Sequence, residues 1–131
     1  MANLSALKAG GVPSTFCGFL TLAANDGDNA VTGVGFKPNW IIIVDIIVPS
    51  NDVLVNATGF KIGNTTRAQG KTIHGTTPGY YSYESSSKLY LVTNAAGAQA
   101  EGTLKSFDAD GFTIDRTGYA FPIQLFWMVG R

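Results

Sequence analysis

Charge is what this sequence has least of. Only 14% of its 131 residues are Asp, Glu, Lys or Arg, against about 25% in an ordinary soluble domain. Nine basic and nine acidic side chains cancel to a formal net charge of zero, so there is no electrostatic footprint for a phosphate backbone or an anionic membrane. Neither nucleic acid nor a membrane is expected as a partner. Weak charge also means weak self-repulsion, which suits an assembly subunit better than a free monomer.

Cysteine and histidine are nearly absent. Cys17 and His74 each stand alone, which excludes an internal disulfide and a Cys/His zinc site within one chain. A catalytic triad would have to be built on His74, which lies in a Thr/Gly-rich stretch with no nucleophile motif beside it. No carboxylate pair stands at a legible spacing for acid–base work. The expectation is a protein that is not an enzyme and needs no metal and no cofactor. Cys17 reads as a small buried hydrophobe rather than a reactive thiol.

Long apolar runs are missing too. Asp45 interrupts the most apolar segment five residues after it opens at Trp40, far short of the ~20 residues of a membrane-spanning helix. From Met1 to Ser14, Gly10, Gly11 and Pro13 break any apolar run. That stretch is expected to be an arm ordered by a neighbour, not a signal peptide. Leu, Lys and Glu are too scarce for a helical bundle.

What is present is 45% apolar residues, 16 glycines and frequent Thr, Ser and Asn, the composition of short strands joined by many turns. A chain of this length has one core. The reading is an arm over residues 1–14 and a single antiparallel, jelly-roll-like β-sandwich over 15–131. Turn signals recur every 8 to 12 residues or so, as in sandwiches and barrels. Strands are expected from Phe16 to Leu22, Ala30 to Val34, Trp40 to Val48, Val53 to Ala57, Gly59 to Ile62, Lys71 to His74, Tyr80 to Tyr83, Lys88 to Thr93, Gly102 to Phe107, Phe112 to Asp115 and Ile123 to Val129. Long loops are expected within Asn64 to Gly79 and Asn94 to Gly102.

Alternation along Trp40 to Val48 puts Trp40, Ile42, Val44, Ile46 and Val48 on the core face, leaving Ile41, Ile43, Asp45 and Ile47 on the other. In the last strand Ile123, Leu125, Trp127 and Val129 share the core face, while Phe126 and Met128 sit opposite with Gln124. Ile41, Ile43, Ile47, Phe126 and Met128 are then too apolar for water, and they form a candidate oligomer interface, for which a homotrimer is expected.

Other motifs read as structural. Gly70-Lys71-Thr72 matches the end of a phosphate-binding loop but lacks its first glycine and its helix, which leaves a hairpin turn. Asp26-Gly-Asp28-Asn29 and Asp108-Ala-Asp110-Gly111 lack the ligand chain of a calcium loop and read as Asx turns. Tyr80, Tyr81 and Tyr83 form the one aromatic cluster outside an obvious core strand. They are either a partner or receptor surface, with Glu84 beside them, or a strand with one tyrosine face turned inward.

Two segments carry a resemblance. Gly33-Val-Gly-Phe36-Lys-Pro38-Asn-Trp-Ile-Ile-Ile43 resembles a GFxP element, and Ser106-Phe-Asp-Ala-Asp-Gly-Phe-Thr-Ile114 an FxxDGFT element, of small phage virion and tail-associated β-proteins. With their flanks they cover somewhat under half the chain. The resemblance implies a virion structural protein assembled in the host cytoplasm. It would be a capsid decoration (cement) protein bound to the major capsid protein or, alternatively, a glycan-binding module of a tail fibre or spike.

Overall fold

The computed structural model describes residues 14–22, 26–48, 53–74, 79–93, 98–118 and 121–131. Over these it contains ten strands and no helix: β1 (Thr15–Leu22), β2 (Gly27–Val31), β3 (Trp40–Ile47), β4 (Val53–Ile62), β5 (Thr65–His74), β6 (Gly79–Ser85), β7 (Tyr90–Thr93), β8 (Gln99–Asp108), β9 (Gly111–Gly118) and β10 (Ile123–Gly130). They form two antiparallel sheets, one of six strands in the order β1-β10-β3-β4-β5-β6 and one of four in the order β2-β9-β8-β7. The inner faces meet in one core that includes Leu22, Ile41, Ile43, Ile46, Tyr90, Phe112, Ile114, Leu125 and Trp127. The expected arm, residues 1–13 in particular, lies outside the described residues.

The two sheets pack as a β-sandwich, without the full strand order of the expected jelly roll. In a jelly roll the chain is a long folded hairpin whose strands pair in nested fashion, and here β1 pairs with β10 and β2 with β9. The nesting then stops: β3 to β6 run as a meander, and so do β7 to β9.

β10 follows its alternation to the letter. Ile123, Leu125, Trp127 and Val129 are buried, while Gln124, Phe126 and Met128 on the other face are only partly so. β3 overturns its expected faces. Ile41 and Ile43 are fully buried with Ile46, whereas Trp40 and Ile42 lie on the outer face. The cause is a bulge, because Phe126 opposes Asp45 and its neighbour Trp127 opposes Ile43, which leaves Val44 with no partner. One extra residue switches the side-chain parity along the strand, so alternation counted straight through Val44 assigns one half of β3 wrongly.

β5 occupies most of what the sequence suggests as a loop. A two-residue connection, Gly63-Asn64, joins Ile62 to its partner Thr65, and Gly63 takes φ of +55°. With glycine first this is the type II′ hairpin, whose twist matches the flanking strands. Gly70-Lys71-Thr72 therefore lies in mid-strand instead of in a turn. Four strand glycines sit directly opposite an aromatic residue: Gly18 opposite Trp127, Gly130 opposite Trp40, Gly70 opposite Tyr83 and Gly102 opposite Tyr90. In each case the ring lies where a Cβ would go, at 2.0 to 2.7 Å from it.

Arg116 is fully buried at one end of the core. Its guanidinium donates to the carbonyl of Leu22 at 3.4 Å and to that of Phe121, whose ring it also covers. One charged group thereby ties the end of β1 and the approach to β10 onto β9.

Candidate functional surface

The outer face of the six-stranded sheet is the least water-like part of the molecule. Side chains pointing outward line up in register rows across the strands. One row runs Cys17, Met128, Ile42, Phe60 over β1, β10, β3 and β4, and ends at Arg67 on β5. The row beside it runs Thr15, Gly130, Trp40, Ile62, Thr65. On the other side Phe19 stands against Phe126, ring centroids 4.8 Å apart, with Asp45 next in the row. Phe19 is 62% exposed, Ile62 51% and Ile47 46%. Single exposed apolar residues are ordinary, but a contiguous band of them marks a surface built for contact.

Of the residues expected at an interface, Ile47, Phe126 and Met128 lie on this face. Ile41 and Ile43 do not; both are core residues with no exposed surface. The bulge at Val44 substitutes Trp40 and Ile42 for them. Phe19, Phe60 and Ile62 complete the band, and strict alternation within Phe16 to Leu22 and Gly59 to Ile62 was the signal that could have found them. Cys17 is partly buried on this outer row, not in the core as expected.

By register the three tyrosines do not share one face of β6. Tyr83 is partly buried against the core, its ring over Gly70, and burial pushes its phenol far above the ordinary value of 10. Tyr81 pairs with the buried Thr72 and shares the register face of Tyr83, while Tyr80 pairs with the exposed Ile73 on the opposite face. The side chains of Tyr80, Tyr81 and His74 lie outside the described part of the structure. Adjacent residues in a strand alternate faces, so a Tyr-Tyr-Ser-Tyr run cannot present three rings together.

Beyond the apolar band, the outer face of β4, β5 and β6 turns polar and hollow. Two adjoining open grooves, of about 450 and 360 Å³, share Thr58, Gln69 and Glu84. Thr58 pairs with Gln69 and Gln69 with Glu84, so the three stand in one row; Phe60 and Arg67 form the next row. The side chains of Thr58, Arg67, Gln69 and Glu84 make no hydrogen bond or ion pair with any described residue.

On the four-stranded sheet several polar side chains are tied to one another. Lys105, displaced by a bulge between Leu104 and Ser106, pairs with Asp28. Glu101 takes Lys88 at 2.5 Å and the Thr117 hydroxyl at 3.3 Å. Asp108 accepts from the hydroxyls of Ser106 and Thr113, both at 2.7 Å. Asp110 closes the gap between the two motif segments: its carboxylate accepts the amides of Gly33 at 2.9 Å and Gly35 at 2.6 Å, and its carbonyl accepts that of Val34. Those hydrogen bonds, Gly35 first, hold its carboxyl below the ordinary range. Asp108 and Asp110 thus brace the turn between β8 and β9, whereas Asp28 and Asn29 lie within β2 and not in the turn expected for Asp26 to Asn29, and no group of three or more metal-ligating side chains occurs among the described residues.

No family model matches this chain, and no curated protein or solved structure matches it either.

Proposed function

We propose that the chain is a non-enzymatic phage virion subunit of the capsid decoration type. It associates as a homotrimer and holds neighbouring copies of the major capsid protein together. The observation that carries the proposal is the apolar band across β1, β10, β3 and β4, in which Phe19, Phe126, Met128, Ile42, Phe60 and Ile62 form one surface. Leaving such side chains in water forgoes about 25 cal/mol for each Å² that a partner would cover. The occupant is a second copy of this chain: its zero net charge removes self-repulsion, and Asp45 is the one charged side chain along the band between β1 and β4. The two segments that resemble virion proteins meet at Asp110, which fits their role as a structural brace rather than a reactive site.

The function is then binding energy alone. A ligand at ~1,000 times its Kd stabilises its host by about 4 kcal/mol per site, multiplied over the sites of a shell. Particles stripped of the protein are expected to lose thermal and osmotic stability and to regain both when it is added back. Stripped particles that stay equally stable but no longer adsorb to host cells would overturn this reading in favour of the tail-fibre alternative.

A further inference from the structure

We infer that the association proposed above is oriented by an ion pair between copies, in which Asp45 of one copy meets Arg67 of the next. The inference rests on that association and adds the residues that set its geometry. Three observations carry it. Asp45 is an exposed carboxylate among exposed apolar side chains: Val44 and Ile47, 40% and 46% exposed, stand beside it along β3, and Phe126 opposes it on β10. It accepts the amide of its own neighbour Ile46 at 2.8 Å and forms no ion pair with a described residue. By straight alternation residue 45 would share the buried face of Ile41 and Ile43, and the bulge at Val44 turns it outward into the band. Arg67, at the end of the apolar row through Met128, Ile42 and Phe60, is likewise exposed and without an ion pair to a described residue.

A second copy laid on the band takes water from Asp45, and a carboxylate covered in this way is strongly unfavourable unless a cation meets it. Because the occupant is a copy of this chain, the cation comes from the same sequence. Lys88 and Lys105 are paired with Glu101 and Asp28, Arg116 is buried, Arg131 lies over the ring of Phe36, and Lys71 has an interaction of its own. Lys61 pairs by register with the buried Ile41, on the inner side of β4, and Lys37 acts on Asp108. Among the described cations this leaves Arg67, on the same outer face as Asp45. Within one chain the two do not meet, since β4 runs between β3 and β5 and sets those strands roughly 10 Å apart. Glu84, the other carboxylate on this face, stands on β6 opposite Gln69 and forms no ion pair with Arg67. A guanidinium takes a carboxylate through two parallel hydrogen bonds, so the pair fixes orientation as well as strength. Each copy then gives Asp45 to one neighbour and Arg67 to the other, a head-to-tail contact of the kind that closes a ring.

The test is sedimentation of the full chain and its charge variants over a range of concentrations, with the thermal midpoint of each as a check on folding. Asp45→Lys and Arg67→Glu are each expected to weaken association by at least about tenfold. The double variant Asp45→Lys, Arg67→Glu restores the pair with its signs exchanged and is expected to recover most of that loss. Asp45→Asn keeps an oxygen for the Ile46 amide, so it serves where lysine disturbs the bulge; it is expected to weaken association too, because Arg67 is then covered unpaired. Glu84→Gln is expected to change nothing. If Asp45→Asn tightens association, the carboxylate is covered without a cation and the inference is overturned. A double variant no better than the single ones overturns it as well, and so does a Glu84→Gln effect equal to that of Arg67→Glu. A parent that associates while its charge variants match it ends this inference alone, whereas a parent that is monomeric at every concentration ends the association reading and this inference with it.

Discussion

The two outer faces of this sandwich are finished differently. On the four-stranded sheet each exposed carboxylate or cation described above has an internal partner: Asp28 with Lys105, Glu101 with Lys88, Asp108 with Ser106 and Thr113. On the six-stranded sheet the exposed residues are rings and aliphatic chains on one half and polar groups on the other, of which Thr58, Arg67, Gln69 and Glu84 make no side-chain bond to a described residue. The first face is complete in water. The second leaves a contiguous apolar band in water, and the association proposed above rests on that difference.

The core supports both faces, and breaking it is expected to have the largest effect. Trp127 is 3% exposed. Its ring meets Phe112 edge-on at 5.0 Å and stacks on Phe16 at 5.9 Å. Trp127→Ala is expected to cost about 3–5 kcal/mol in urea unfolding, and to remove association with it. A cost below ~1 kcal/mol would mean that the two sheets are not one cooperative unit.

A smaller stability effect with a larger functional one is expected on the apolar band. If the proposed trimer forms through the band, the double variant Phe19→Ser, Ile62→Ser is expected to sediment as a monomer at concentrations where the parent associates. Its unfolding free energy under monomeric conditions should stay within about 0.5 kcal/mol of the parent's. Asp28→Asn on the opposite face is expected to leave association untouched. If it is Asp28→Asn that dissociates the trimer, the comparison between the faces is reversed.

The smallest effect concerns the braces. The amides of Gly35 and Gly33 lower the carboxyl of Asp110 from its ordinary 3.8. A carboxyl with a folded pKa below its unfolded one stabilises the fold above the unfolded value, and that contribution fades as pH falls through the folded value. Stability of the parent is therefore expected to decline below about pH 4, and Asp110→Asn to show a shallower decline over the same range. An unchanged acid slope would show that the brace between the two motif segments contributes nothing measurable.

The sequence disclosed the all-β class, one core and the faces of β10, because strict alternation in an unbroken strand leaves no other arrangement. It misled at Val44, since nothing in a run of Ile and Val announces which residue bulges; the placement of Ile41 and Ile43 failed there. It misled again at Thr65 to Gly70, where Thr, Gln and Gly look like loop but pair as strand on both sides. The Gly63-Asn64 pair was a readable hairpin signal. The groove could not have been found from sequence, because Thr58, Gln69 and Glu84 become neighbours only through the register of three strands. The two motif segments were legible as turn chemistry, but that Asp110 reaches Gly33 across 77 positions of the chain was not.

The glycines opposite aromatic rings bear on how the chain finds its alignment. Each pair is a key that fits one slot. Sliding β1 by two residues along β10 would bring Trp127 against Phe16 or Leu20 in place of Gly18, and the same slip would set Tyr83 against Ala68 or Thr72, or Tyr90 against Ala100 or Leu104. Two of the keys secure β1 and β6, the outermost strands of the larger sheet, and a third secures β7 at the rim of the smaller one. Those are the strands with a free side, where mispairing starts most easily. The missing side chains therefore act as alignment marks. They admit the native register and exclude its nearest competitors, in a chain whose Thr- and Ile-rich strands would otherwise pair almost equally well at several offsets.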